Sequence, residues 1–407
     1  MPVSLRFGLV LCAGLASACA SDRYVTESAH RDFDRRDYAT AAENYGKAAS
    51  EAGANQVLFL LDQATSRFAA REYDKALPLF LRAEDLMAIK DYTSVSEEIG
   101  TLATGEGIRG YKGEDFEKIL VNVYLALGFA SLDKLEDAQV EARKINQLLY
   151  RMITEGKRNY QESPFARYLS AMLWEATGET NSAYIDYKKA YELDPGFPDL
   201  GSDLLATSKR MGFDDEFARW REAFPQSSPR AIPKDSGEVV VFFEKGRGPL
   251  KVPRYDDDAS LPRYVSRYSD EMAAQVLVNG VATANASDVL DVTRLSKSFL
   301  EDRIGRLRAA RLAGAAVKGA IAYGVGKASG SDDLGWLTFF LLLFSDRADL
   351  RSWRTLPSSI QMARFPLPAG RYDLAVDVAG IDGRPMRRID LGRIDLKAGR
   401  KVFRTAR

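Results

Sequence analysis

The chain has 407 residues, of which 46% are hydrophobic and 28% are charged, so it can bury a sizeable core and large-scale disorder is excluded. This length exceeds one ordinary core and predicts two or three domains. Lys plus Arg and Asp plus Glu are equal at 57 each, which leaves no overall positive field to attract nucleic acid.

The N-terminus has the pattern of an export signal. Arg6 precedes an apolar run that extends from Phe7 to about Ala18, which suits a signal peptide and is too short to span a bilayer. The run ends in Leu15-Ala-Ser-Ala-Cys19, which resembles a bacterial lipobox. We therefore expect residues 1–18 to be removed and Cys19 to carry the lipid anchor. An ordinary signal peptide cut at Ala18, followed by a chance cysteine, is the alternative.

The cysteine count agrees with an exported lipoprotein. Cys12 lies inside the signal and Cys19 would be acylated, so the mature chain would hold no free thiol and no disulfide. Ala20 follows the cysteine in place of Asp, and by resemblance to sorting in enteric bacteria this implies the periplasmic face of the outer membrane. Apart from the lipid, we expect no cofactor.

A repeated pattern of paired helices runs through the first half. Four pairs of alanines have members twelve residues apart: Ala29 and Ala41, Ala64 and Ala76, Ala126 and Ala138, Ala171 and Ala183. Tyr45, Phe80, Ala142 or Tyr187 follows four residues after the second alanine. Small side chains let two antiparallel helices approach closely, and an aromatic one turn later fills the groove beside them. The pattern resembles the tetratricopeptide repeat (TPR) over residues 22–224, with a divergent last pair at 198–224 that Trp220 caps.

The repeats are unevenly spaced. Ala76 and Ala138 are 62 residues apart, where a regular repeat would have about 34. We assign the largest insertion to a surface loop from about Ile89 to Asp115, which contains Gly105, Gly107, Gly110 and Gly113. Residues 105–110 match G-x-G-x-x-G, but no strand precedes them, so a dinucleotide site is not favoured.

The second half changes to the periodicity of strands. A Pro/Ser-rich linker at 225–236 is followed by a buried strand candidate, Gly237–Glu244. Further strands are predicted at 275–278, 360–365, 372–378, 389–394 and 401–404, with turns at Asn279-Gly280 and Asp382-Gly383. The fold class is therefore α+β multidomain: an N-terminal TPR-like α-solenoid (19–224), then a smaller mixed domain (237–407) with an antiparallel β-sheet or sandwich.

A helical pattern from about Val292 to Ala322 lies within this second half. A strongly apolar run, Leu337–Phe344, follows it and is too short to span a membrane. We expect the apolar region at 313–344 to pack on the sheet. Contact with the membrane surface beside the lipid anchor is the alternative.

Catalytic and metal-binding patterns are weak. The single histidine, His30, is predicted to be a surface residue of the first helix, and one imidazole makes neither a triad nor a zinc site. The acidic clusters Glu97-Glu98, Asp256-Asp257-Asp258 and Asp332-Asp333 are expected to be solvated. We therefore predict a protein that is not an enzyme and has no metal. An enzyme acting on peptidoglycan or glycans, with a carboxylate pair in the second domain, is the alternative.

Two segments and one helix motif resemble a known family. Gly237–Gly246 and Ala348–Pro357, together with Glu141-Ala-Arg143, are similar to an uncharacterised family of proteobacterial TPR lipoproteins over nearly the whole chain. The resemblance implies a part in envelope assembly, because members occur near genes for lipoproteins that activate penicillin-binding proteins or resemble curli-secretion components. It supplies no catalytic residues.

We therefore predict an outer-membrane-anchored periplasmic scaffold whose helical groove holds a protein or an extended peptide. A secretion or pilus accessory lipoprotein would share this scaffold. The groove is expected to be lined by residues of the first helices of two repeats, each of which could equally be core. They are Val123, Leu127, Phe165, Tyr168, Met172 and Glu175.

Overall fold

A computed structural model describes residues 25–50, 53–104, 110–154, 163–331, 333, 336 and 348–407 of the chain. The predicted signal peptide, Cys19 and the apolar run at 337–344 lie outside the described residues, as do Gly105 and Gly107. Helices occupy the part up to Ala223 and the first strand begins at Ser236, so the structure changes character close to the predicted linker.

Five consecutive helical hairpins make up the first half of the described chain. Their helices are α1 (25–34), α2 (Tyr38–Ser50), α3 (Gln56–Ala69), α4 (Tyr73–Thr104), α5 (Asp115–Ser131), α6 (Leu135–Thr154), α7 (Pro164–Ala176), α8 (Thr180–Leu193), α9 (Leu200–Met211) and α10 (Asp214–Ala223). Each hairpin packs on the next, through α2 with α3, α4 with α5, α6 with α7 and α8 with α9. The predicted divergent last pair is confirmed as α9 and α10.

The alanine pairs lie where helices meet. All eight alanines are completely buried, with 0% of their surface exposed. In the first hairpin, Ala29 and Ala41 form one apolar cluster with Phe33 and Tyr45. The prediction that small residues allow close helix contact is confirmed.

The turns inside four hairpins share one backbone geometry. The residue five positions before the second alanine is left-handed in each: Arg36, Arg71, Asp133 and Gly178 have φ of 65°, 61°, 60° and 88°. The next residue donates its N–H to the carbonyl five residues back, as from Glu72 to Arg67 at 2.9 Å. This is the Schellman helix ending, which satisfies carbonyls that the helix leaves unpaired. The same turn therefore sets the same register in all four hairpins.

The predicted surface loop at Ile89–Asp115 is wrong for most of its length. Helix α4 continues through 32 residues to Thr104. No glycine or proline occurs between Ile89 and Ile99, so nothing in this stretch ends the helix, and the glycines are concentrated after it. Gly113, with φ of 76°, lies against Met87 just before α5.

The second half contains ten strands in the described residues. They are β1 (Ser236–Lys245), β2 (Leu250–Arg254), β3 (Asp258–Val265), β4 (Ala273–Val278), β5 (Val281–Asn285), β6 (Ser287–Asp291), β7 (Ser359–Pro368), β8 (Gly370–Ala379), β9 (Pro385–Leu396) and β10 (Lys401–Ala406). The first sheet has the order β10-β1-β7-β6, the second has β5-β4-β8-β9, and β2 pairs with β3.

The predicted antiparallel pairing is found in every strand pair of the described residues except the one formed by the last strand. β1 pairs antiparallel with β7, but it pairs parallel with β10. β9 and β10 follow each other in the chain and belong to different sheets, so the connection between them is not a hairpin. The direction of β10 is therefore not determined by its neighbour in sequence.

Strand β1 is buried on both faces. Val239, Val241 and Phe243 pack against the second sheet, whereas Val240 and Phe242 pack against the helices. Because side chains alternate between the faces of a strand, this arrangement needs an uninterrupted apolar run. The molecule thus has three layers: helices, first sheet and second sheet.

Helix α11 (Val292–Ser329) joins β6 to the C-terminal part and begins inside the core. Phe299 and Ile304 are buried, and the Phe299 ring lies 6.5 Å from the ring of Phe116 on α5. The first turns of α11 therefore pack in the core. In the region 313–344, which the sequence predicted to pack on the sheet, Tyr323 and Trp336 are 73% and 61% exposed, so the prediction is wrong at these two residues. In the parts of the chain that the structure describes, no helix has the length and apolar character needed to cross a bilayer.

Candidate functional site

The predicted groove residues lie inside the protein. Val123, Leu127, Phe165, Tyr168 and Met172 have 0–2% of their surface exposed, and the Glu175 side chain has 5%. The apolar residues among them share one core with strands of the first sheet, and the Phe165 ring lies 6.3 Å from the ring of Phe242. The chain's own C-terminal part therefore covers the inner face of the helices, and these six residues are not open to an outside partner.

Arg364 on β7 is the centre of the contact between helices and sheet. Its side chain is 0% exposed. Nη2 lies 2.7 Å from Glu175 on α7, Nη1 lies 3.0 Å from Asp203 on α9, and Nε lies 2.6 Å from Glu238 on β1. One guanidinium thus meets three carboxylates from three separate elements.

Two further cations complete this group. Lys401 on β10 lies 3.0 Å from Glu175 and also pairs with Glu238. Arg230, from the segment predicted to be a linker, lies 2.7 Å from Asp203 and is 11% exposed. Three buried cations therefore face three buried carboxylates, which is the balance that charges need away from water. The linker segment is anchored in this interface.

The net pKa shifts of these three carboxyls differ in direction, because burial and the facing cations oppose each other. Burial raises the pKa of Glu238, but Arg364 and Lys401 outweigh it and bring the value to about 2. The same two cations outweigh burial at Glu175 and hold its pKa well below the usual range. At Asp203 burial prevails over Arg364 and Arg230, so the pKa is raised. Glu175 and Glu238 are therefore the carboxylates that Arg364 and Lys401 stabilise most strongly in the ionised form.

Two other buried groups join the same layers. Arg303 on α11 donates to both oxygens of Glu114, at 2.7 Å each, and Lys251 on β2 also pairs with Glu114. At the far end, Glu244 accepts from Tyr124 at 2.8 Å and from Arg407 at 2.7 Å. In both groups a helical residue is bonded to the C-terminal half. These bonds orient the layers.

The prediction that His30 is a surface residue is wrong. It is 8% exposed and hydrogen-bonded to Tyr45, which lies on the facing helix α2. Burial, helped by the nearby Arg354 and Arg267, lowers the pKa of His30 to about 3. Ala29, the residue before His30, is one of the paired alanines and is also buried. The buried face of α1 is therefore wider than the alanine pattern alone indicated.

An open cavity of about 330 Å³ lies where the α1–α2 turn meets the second sheet; we call it the α1–β9 cavity. Its lining includes Asp34, Arg36, Tyr268, Glu271, Met386 and Arg387. Glu271 Oε1 accepts from Arg36 at 2.8 Å and from Arg387 at 2.7 Å, which ties the helical turn to β9. Tyr268 is 74% exposed and Met386 is 47% exposed at its rim. These residues come from separate parts of the sequence, so no local motif indicates the cavity.

Comparison with known proteins gives no family assignment. No protein-family model matches the chain, and no curated protein matches it. Among solved structures, "Crystal structure of MamA" has 14% identity and a TM-score of 0.34, and the match covers 48% of this chain and 91% of that one. "MamA MSR-1 C2" has 13% identity, a TM-score of 0.32 and coverage of 51% and 98%. We draw no functional conclusion from likenesses at this level.

Replacing Arg364 tests the central ion group. Arg364→Ala leaves three buried carboxylates short of a cation, and we expect the free energy of unfolding in urea to fall by about 3–5 kcal/mol. Arg393→Ala is the matched control, because it removes an arginine from a strand pair with Asp373 whose side chains are 69% and 61% exposed. The control should leave the free energy of unfolding nearly unchanged, because solvent screens an exposed ion pair. Equal losses in the two variants would contradict the assignment.

The single histidine gives a second test, by proton NMR of an untagged chain. Because the pKa of His30 is lowered to about 3, its ring signal should not shift between about pH 5 and about pH 8 in the folded protein. In the urea-unfolded chain it should titrate near pH 6.5. The unfolded state then binds the proton more readily, so His30 removes stability as pH falls below that value. A folded-state midpoint near the unfolded one would refute the buried, neutral imidazole.

Proposed function

We propose that this chain is a lipid-anchored scaffold of the bacterial envelope, in which a TPR-type helical solenoid and the C-terminal sheets together present a surface for a protein partner. The observation that carries the proposal is the α1–β9 cavity. It is open, whereas the inner helical face is filled by the chain itself. Its lining includes the exposed side chains of Tyr268 and Met386. Exposed aromatic and methionine side chains around a concavity are typical of protein contact surfaces.

The polar lining makes this surface rigid before a partner arrives. Glu271 is held by two arginines and also accepts the Gly246 N–H at 2.9 Å. Arg247, 47% exposed, lies 3.4 Å from Asp34 across the same cavity. A preorganised surface loses little conformational freedom on binding, which favours affinity. Arg36, also 47% exposed, adds donors that can reach a partner's carbonyls or carboxylates.

The expected anchor is compatible with this surface. Val25, the first described residue of α1, is six residues after Cys19, a stretch that spans at most about 20 Å when extended. Helix α1 adds about 15 Å before Asp34 at the cavity. An acyl group on Cys19 would therefore hold the α1–β9 cavity within about 35 Å of the membrane. We propose that this membrane is the outer membrane and that the cavity faces the periplasm.

Binding is favoured over catalysis by where the ionisable groups lie. Asp62, Glu117 and Asp203 have raised pKa values, but each has no more than 1% of its surface exposed, so a substrate could not touch them. In the β2–β3 turn, Asp256 lies 2.9 Å from Arg263, and Asp257 pairs with Arg308. Side chains already occupied in this way support a structural role for that acidic cluster.

Lipidation is tested by growth with an alkyne-bearing fatty acid. The wild-type chain should incorporate the label and sediment with membranes, because acylation of Cys19 supplies the anchor. The Cys19→Ala chain should lose both properties. If the Cys19→Ala chain keeps the label, or if the wild-type chain takes up none, the proposed lipid anchor is wrong. Neither result bears on the α1–β9 cavity, which the crosslinking experiment tests.

Partner binding is tested with a photo-crosslinking amino acid at Tyr268 in intact cells. We expect one discrete adduct, which a Met386→Asp change in the same chain should abolish by placing a charge on the apolar rim. Tyr255, 77% exposed on the β2–β3 turn, is the matched control position and should give no such adduct. The same products from both positions, or an adduct that is insensitive to Met386→Asp, would count against the cavity as the binding surface.

A further inference from the structure

One segment of the C-terminal half, which is irregular and turns at Arg354 and Thr355, lies against the helices. We call residues 351–356 the Trp353 segment. Trp353 is 2% exposed, and its ring centroid lies 5.4 Å from that of Tyr124 and 5.9 Å from that of Phe80. The indole N–H donates to Thr65 Oγ1 at 2.9 Å. The helices thus hold this indole in an aromatic pocket with one polar contact.

Two carboxyl groups of the helices hold the main chain of the same segment. Glu117 on α5 accepts the Trp353 N–H at 2.8 Å. Asp62 on α3 accepts both the Thr355 N–H, at 3.1 Å, and the Thr355 hydroxyl, at 2.8 Å. Both carboxyl groups therefore act on the main chain of one short segment.

These two carboxyl groups differ from the other buried ones. Glu114, Glu175, Glu238 and Glu244 each pair with an arginine or lysine. Within the described ranges, no ion pair joins Asp62 or Glu117 to a basic side chain. Apart from the segment itself, Glu117 takes its contacts from the Tyr111 hydroxyl and the Glu114 N–H. Hydrogen bonds from neutral donors lower the pKa of such a carboxyl group, but without a paired cation they do not offset the cost of burying the charge, so the protonated form is favoured.

The charges around the pair do not cancel this preference. Burial raises the pKa of Asp62 to about 7, against the hydrogen bonds from Thr355 and the charge of Arg354, which lower it. Burial and the facing Glu114 raise the pKa of Glu117, also to about 7. The nearby cations Lys251 and Arg303 both form ion pairs with Glu114. The two sites therefore change charge in the same pH range.

We propose that Asp62 and Glu117 form a proton-dependent latch, which holds the Trp353 segment on the helices when both carboxyl groups are protonated and loosens it as they ionise. A solvent-exposed carboxyl has a pKa near 4, so the attachment is strongest below that pH and weakens as pH rises toward about 7. Loosening exposes Phe80, Tyr124 and Thr65, which are otherwise covered. The latch is separate from the α1–β9 cavity and does not depend on the proposed function.

The test is amide hydrogen exchange of the full chain between about pH 5 and about pH 8, corrected for the intrinsic pH dependence of exchange. Protection of the Trp353 and Thr355 amides should fall about tenfold per pH unit for each carboxyl group, up to pH 7. The Val240 and Val241 amides of β1 should keep their protection. Asp62→Asn preserves the acceptor oxygen for Thr355 but cannot ionise, so it should reduce the slope by about half.

Asp186→Asn is the matched control variant. Asp186 is also buried, but it lies 3.2 Å from Arg167 and accepts from Ser170, so its replacement should leave the slope at Trp353 unchanged. Three outcomes would overturn the latch. The first is amide protection at Trp353 and Thr355 of the wild-type chain that does not vary with pH. The second is an equal fall in the protection of the β1 amides, which would indicate a global change. The third is an Asp62→Asn chain in which protection at Trp353 falls with pH as steeply as in the wild type. The first two are read from the wild-type chain alone, so they hold even if a variant fails to fold.

Discussion

The cost of removing charges from water governs how this molecule is assembled. Arg364 is fully buried and meets Glu175, Asp203 and Glu238, which lie on α7, α9 and β1. Each carboxylate would be strongly unfavourable in the interior without its cation, and the cation would be unfavourable without them. The helices and the first sheet are therefore satisfied only together. The two share one buried interface, although the sequence changes from helical to strand periodicity between them.

Apolar burial and the polar contacts have different parts in this interface. Burial of residues such as Phe165 and Phe242 supplies most of the driving force, but it has little directional preference. Paired side chains such as Arg303 with Glu114 and Arg407 with Glu244 have narrow geometric requirements, so they orient the layers. This inner face is used for internal assembly. The surface that we propose for a partner therefore lies at the edge between the layers, where the α1–β9 cavity opens.

Buried carboxyl groups have two different environments in this fold. Glu175 and Glu238 are surrounded by cations, which lower their pKa and keep them ionised. Asp62 and Glu117 have neutral donors, and burial raises their pKa to about 7. The frame that joins the layers is therefore insensitive to pH near neutrality, while the attachment of the Trp353 segment responds to it. A single fold can thus combine a constant scaffold with one proton-sensitive contact.

Local patterns in the sequence determined the helical hairpins, the burial of the alanine pairs, the double-sided burial of β1 and the left-handed turn at Asn279-Gly280. These features depend on residues that are close in the chain. Apolar residues recur about every 3.6 residues in a helix and every 2 residues in a strand, and this repeat shows which face is apolar. Only the tertiary structure decided what covers each face. Glu175 and Arg364 are 189 residues apart, and the closed groove, the burial of His30, the parallel β10 and the α1–β9 cavity all depend on such distant contacts. Periodicity shows which face of a helix or strand is apolar, but it does not show what that face packs against. A groove for another protein and an internal interface therefore give the same pattern in a single sequence.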